Sequence, residues 1–308
     1  MEGPPAVKAS FGRIVRVTVT EWRTALGNRR ALVMTLLFAA VAALVMYGTI
    51  SVFAAMEREV LSVLRLPASD NPGSVTMTLW KSQSFSRVIE HIAGGSLVFA
   101  DIKGRHPLLL AYAVFLFQVT PLLTLLVSAS RVADDVRSGT ARYWLVRVTR
   151  AEWSLGKFFG EALMLAVSML AGALVAWGVA IVRLSGTDGV VLLPGLLDWT
   201  ARAWIYAFAW LGLFMGLSHV AKSGGKATAL SVLAVMGAAA WPRMLANFLP
   251  EEGFWSGLAA LDVLVPSGVG TLLWRRSASA LLLGVVQLSA VAFLYLSLGA
   301  AVFRRRDV

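Results

Sequence analysis

The sequence predicts an all-α polytopic membrane protein. It would have six transmembrane helices, an N-terminal interfacial amphipathic helix, and an interrupted segment before the last span. Three observations carry this reading. Apolar residues make up 58% of the 308 residues, where an ordinary soluble domain has about 45–50%. They gather into runs of roughly the 20 residues that a spanning helix needs. Lys and Arg collect on alternate loops, as orientation in a bilayer requires.

The chain opens with an amphipathic stretch over 10–29. Phe11, Ile14, Val15, Val19, Trp22 and Leu26 fall on one helical face, and Arg13, Arg16, Thr20 and Arg23 on another. Such a helix lies in the interface, with Trp22 at headgroup depth and Arg13, Arg16 and Arg23 on lipid phosphates. The first apolar run, 31–55, is too long for the core of a signal peptide. Further spans are expected at 108–129, 158–182, 203–221, 227–249 and 279–303. Residues 56–107 form the longest polar stretch, which opens on a helical run and then meets the turn cluster Pro67 to Gly73. Trp241-Pro242-Arg243, Pro250 and Pro266 interrupt the region 241–276, because proline removes a backbone donor and breaks a helix. Half-helices dipping into the membrane and a plain surface loop, over 250–278, both fit.

Sidedness follows from the basic residues. With both termini in the cytoplasm, 17 of the 28 Lys and Arg residues fall on cytoplasmic segments, in keeping with the positive-inside rule. The net charge of +11 then reports orientation and gives no reason to expect a nucleic-acid partner. The chain reads as a single transmembrane domain over 1–308, with 1–30 and 130–157 cytoplasmic and 56–107 outside. An inner (cytoplasmic) membrane location follows.

Chemistry of the common kinds is missing from the sequence. There is no cysteine, hence no thiol nucleophile and no disulfide. No G-x-x-x-x-G-K-[ST] loop or H-E-x-x-H helix occurs. His91, His106 and His219 are scattered, and no serine sits in a nucleophile elbow. An enzyme is therefore not expected, and no metal site. Ionisable groups inside spans are few, and each is costly there. Glu161 lies one turn past Lys157, where it either pairs with it or reaches the interface. Arg243 either snorkels outward or lines an aqueous path. Gln118, Thr120 and Gln287 also sit within spans, where they line a pathway or hydrogen-bond between helices. Gly212-x-x-x-Gly216 allows close backbone approach, within the chain or in a dimer.

The feature left to explain is a charged island of about 30 residues between two apolar runs. Asp134, Asp135 and Arg137 precede Ser138-Gly139, and Thr140 to Val148 can form a short helix carrying Tyr143, Trp144 and Leu145. An aromatic ridge rimmed by arginine suits a groove on a soluble partner; a solvated hairpin suits the same residues.

Here the sequence resembles the permeases of the ABC-2 family, nearest in style to the NosY-like branch. The resemblance rests on Asp134-Asp135-Val136-Arg137-Ser138-Gly139-Thr140, Val148-Thr149-Arg150, Leu155-Gly156-Lys157 and the ending Phe303-Arg304-Arg305-Arg306-Asp307. It departs at Arg147, where proline is usual. The resemblance implies a six-span subunit working as a dimer with a second copy or a paralogue. Separate ATPase subunits would supply ATP and Mg, so no cofactor is expected in this chain. Asp134, Asp135, Arg137, Ser138, Gly139, Thr140, Tyr143, Trp144, Arg150, Gly156 and Lys157 would then form the ATPase-coupling loop. The function implied is export driven by that ATPase. Alternatives are a transducer that acts through 56–107 on an extracytoplasmic protein, an ion-coupled transporter, and a membrane anchor.

Overall fold

The computed structural model describes residues 5–27, 29–63, 105–184, 188–248 and 262–304, and every regular element among them is helical. Helix α1 spans Pro5–Leu26 and α2 spans Arg29–Val63. Then come α3 (Pro107–Ser128), α4 (Arg131–Ser138), α5 (Thr140–Leu145) and α6 (Arg150–Arg183). The chain continues through α7 (Asp188–Val220), α8 (Gly224–Phe248), α9 (Pro266–Gly270), a 3-10 turn (Thr271–Trp274) and α10 (Ala278–Arg304). Among the described residues, 5 helices are long and apolar enough to cross a membrane. They are α2, α3 (run on into α4), α6, α7 and α10. The fifth expected span, 227–249, falls on α8, which is helical but not one of these five.

Helix α7 is the centre of the bundle, with 67% of its apolar window buried against 22% for α2 and 28% for α10. It packs on α3, α6, α8 and α10, while α2 packs on α6 and α3. Apolar side chains on the outer helices, such as Leu36, Leu44, Leu282 and Val286, stay exposed, as lipid-facing positions of an all-apolar helix do. Glycines set the closest crossings. A Cβ at Gly216 would lie 2.5 Å from the Tyr295 carbonyl oxygen, and one at Gly212 would lie 2.6 Å from Ala292 Cα. Gly212-x-x-x-Gly216 therefore serves the contact between α7 and α10 of one chain. Gly172 receives Phe38 of α2 in the same way, at 2.5 Å.

Several boundaries differ from the sequence reading. Helix α6 begins at Arg150 and not at 158, because Thr149 caps it: its hydroxyl accepts from the Glu152 amide and the Glu152 carboxylate accepts from the Thr149 amide. This reciprocal capping box satisfies two donors that a helix start otherwise leaves open. Residues 150–157, expected in the loop, are thus helical. Helix α7 begins at Asp188 and not at 203. The polar residues that made 188–202 look like loop satisfy one another within the bundle. Asp198 accepts from Arg202 one turn on, at 2.9 Å, and from Arg105 at 2.8 Å. Helix α2 continues to Val63, so the stretch 56–107 does open helically; residues 64–104 lie outside the described part. Helix α8 runs through Trp241-Pro242-Arg243 to Phe248. Of the interrupted segment, residues 262–274 form short helical turns against α7, α8 and α10. Arg202 holds the end of these turns, donating to the carbonyls of Leu273 at 2.6 Å and Arg275 at 2.9 Å.

Candidate functional site

The island folds into two short helices at one end of the bundle. Helix α4 continues the line of α3 and is fastened to α7, where the Ala133 amide donates to the Ser218 hydroxyl at 3.1 Å. It stops at Gly139, whose φ of 80° lies in the left-handed region. Glycine enters that region without the steric cost of a Cβ. Across the break the Ser138 and Thr140 hydroxyls share a hydrogen bond of 2.9 Å. Helix α5 is shorter than the 140–148 expected, and its residues divide by exposure. Arg137, Ser138, Thr140, Arg142 and Arg147 are exposed, as is Tyr143 at 60% and Val146 at 87%. The Arg147 guanidinium lies 4.7 Å from the Tyr143 ring centroid. Trp144 turns inward and packs on the main core with Leu145 and Val148. An open cleft of about 440 Å3 lies beside the helix, lined by Arg142, Leu145, Val146, Val148, Thr149 and Arg150.

The remaining island residues face other parts of the chain. Lys157 is 3% exposed. Its ammonium pairs with Glu21 of α1 at 2.9 Å and with Asp135 of α4 at closer range. The pair of Glu161 with Lys157 does not form; Glu161 takes Arg131 at 2.9 Å. Each is taken instead by opposite charge from another helix, Lys157 by α1 and α4 and Glu161 by α4. Gly156 and Gly160 lie under α1, where added Cβ atoms would meet Val17 Cβ at 2.5 Å and Glu21 Cβ at 2.8 Å. Asp134 is exposed, with its carboxylate against Gly224 in the first turn of α8, a position that favours negative charge. Arg150 donates to the Phe303 carbonyl at 2.5 Å and lies over the Phe303 ring.

Helix α1 has three faces where the sequence showed two. Phe11, Val15 and Val19 are exposed, and Arg16 and Arg23 are exposed beside them. Val17, Thr18, Glu21 and Ala25 face the bundle; Val17 is fully buried, and the Thr18 hydroxyl donates to the Gly156 carbonyl at 3.2 Å. Trp22 is half-buried. Arg13 differs from expectation. It holds the Glu152 carboxylate from Nε and Nη2 at 3.0 and 2.7 Å, joined there by Ser10 at 2.6 Å. That hydrogen bond raises the Arg13 pKa further above its ordinary value. The Thr-x-x-Glu cap at 149–152 was missed although its pattern stands in the sequence, and nothing there showed that its carboxylate also reaches α1.

The expected pathway residues separate in the structure. Gln118 lines a cavity of about 560 Å3 whose walls include Phe117, Tyr206, Trp210 and Trp274. Thr120 is fully buried and donates to the Leu116 carbonyl of its own helix at 2.7 Å, so it lies away from that cavity. Gln287 is half-buried and does not line the cavity either. Arg243 falls on α8, with its side chain outside the described residues. The aromatic wall was missed because each ring sits in an unremarkable apolar run. His219 is buried, its Nδ1 donating to the Met215 carbonyl at 2.7 Å and its Nε2 paired with Ser154 at 2.7 Å. Among the described residues no group of three His, Asp or Glu side chains is placed to hold a metal ion.

Residues 16–308 match the model of the family described as ABC-2 family transporter protein. No curated protein matches the chain.

Proposed function

Because the chain belongs to the ABC-2 family of transporter proteins, we propose that it couples ATP hydrolysis in a separate ATPase subunit to export of a substrate. It is a multi-pass permease subunit of an ABC transporter. The proposal puts both termini and the α4–α5 turn in the cytoplasm, six spans in the membrane counting α8, and two such subunits in the working transporter. Within the family it keeps the chain in the NosY-like branch.

One observation supports it most. A short, exposed helix with Tyr143 and Val146 outward, rimmed by Arg137, Arg142 and Arg147, hangs between two of the long apolar helices, α3 and α6. Such a knob suits a groove on a soluble protein, and Tyr and Arg are the residues that most often carry binding energy at an interface. Of the island residues first expected there, Arg137, Ser138, Thr140 and Tyr143 present themselves to a partner. Asp135, Gly156 and Lys157 hold the turn from behind.

Co-expression with a candidate ABC ATPase subunit, pull-down and assay of ATP hydrolysis test the reading. Tyr143→Ala should weaken capture of the ATPase by roughly tenfold or more, and Arg137→Glu should lower permease-stimulated hydrolysis while the chain stays folded. Capture that survives replacement of the whole 137–147 surface would overturn the proposal.

A further inference from the structure

We infer that Lys157 is a positioning residue that binds the interfacial helix α1 to the α4–α5 turn, so that both move as one body. The inference rests on the reading of that turn as the ATPase input, and adds α1 to it.

The ammonium of Lys157 is nearly sealed from solvent and shared by two carboxylates from different helices, Glu21 of α1 and Asp135 of α4. A buried cation held this way cannot lose a partner cheaply, since the group left behind is uncompensated. Lys157 itself stands on α6, so three helices meet at one charge. Two further pairs flank it along α6: Glu152 with Arg13 of α1, and Glu161 with Arg131 of α4. The cytoplasmic-end half of α6 thus offers acid, base, acid at 152, 157 and 161, and each is answered by opposite charge from α1 or α4. Sterics make the same connection. Gly156 and Gly160 let the α1 backbone lie against α6 with no gap for sliding. The outer face of α1 meanwhile carries Phe11, Val15 and Val19. A displacement of the turn therefore carries α1 with it.

The natural chain has no cysteine, which makes spin labelling direct. Nitroxides at Val15→Cys on α1 and Val146→Cys beside α5, both exposed, report the distance between the two bodies in lipid nanodiscs by pulsed electron resonance. In the otherwise unaltered chain a single narrow distribution is expected. Lys157→Met should at least double its width, and Lys157→Arg, which keeps the charge, should restore it in part. Glu21→Gln, which removes only the partner on α1 and leaves Asp135 in place, should broaden it to a lesser degree and serves where Lys157→Met does not fold. A distribution as narrow in folded Lys157→Met or Glu21→Gln as in the parent would overturn the inference, as would equal loss in Lys157→Arg and Lys157→Met. With the ATPase added, Lys157→Met should keep capture within about twofold but lower stimulated hydrolysis about tenfold. If the parent chain captures no ATPase, the functional reading fails, while the distance measurement still decides the role of Lys157.

Discussion

At the scale of single residues, Gly139 and Thr149 bracket α5 and act on the backbone of the α4–α5 segment. Gly139 occupies a left-handed conformation that costs other L-residues about 1–2 kcal/mol. Gly139→Ala should destabilise the turn by about 1 kcal/mol, read as a lower denaturant midpoint in detergent, and Gly139→Pro should abolish stimulated hydrolysis. Thr149→Ala removes the cap of α6 and should cost about 1 kcal/mol. Glu152→Gln reaches farther, because the same carboxylate serves the cap, Ser10 and Arg13. It should speed amide hydrogen exchange over residues 10–20 by roughly tenfold, and unchanged exchange would show that α1 is held by packing alone. Although the cap at Thr149 was missed and α6 was expected only from 158, the break at Ser138-Gly139 was legible in the sequence because it is a local signal. The ion pairs were not, because the partners of Lys157 lie 136 positions before it and 22 before it at Glu21 and Asp135.

At the scale of elements, hydropathy located α3 and α10 almost to the residue, since their apolar runs end where the helices end. It placed the starts of α6 and α7 too late. Charged side chains there read as solvent-facing, whereas Arg13, Glu21 and Asp135 from neighbouring helices, and Arg105 from the bend before α3, neutralise them. Within the long helices, glycines matter where two helices cross. Gly216→Leu would drive a side chain into the α10 backbone and should destabilise the bundle by about 1–3 kcal/mol or more. Gly178→Ala, with nothing within 4 Å of the added carbon, should be neutral or stabilising by about 0.5–1 kcal/mol. Denaturant titration of the two variants side by side checks whether packing or propensity governs this bundle.

At the scale of the whole molecule, α6 sets the span. Its 34 residues give a rod of about 50 Å, long enough to cross a bilayer and extend beyond it. Val146 and Val182, near its two ends and both exposed, should therefore lie on opposite sides. Single-cysteine variants at these sites check this with a membrane-impermeant maleimide. Val146→Cys should react only in inside-out vesicles, and Val182→Cys only in intact cells. Labelling of both from one side would contradict the proposed orientation. The all-helical membrane class and five of the six expected spans were legible in the sequence, because a bilayer imposes length and polarity on each helix separately. The central place of α7 was not, because it depends on which helices pack together.

One feature of α3 bears on how force passes through this architecture. Pro121 leaves a gap in the backbone bonding of α3, and the hydroxyls of Thr120, Thr124 and Ser128 each grip the carbonyl four residues back. Such bonding softens and bends a helix. Its neighbour across the turn, α6, contains no proline from Arg150 to Arg183. The turn is thus a joint between a compliant strip and a stiff one. A push along the stiff member emerges as translation at its far end. The same push on the compliant member is taken up as curvature near Pro121, beside the aromatic cavity. Unequal stiffness of this kind turns a single stroke into a change of shape, much as two bonded metals of unlike expansion convert uniform heating into bending.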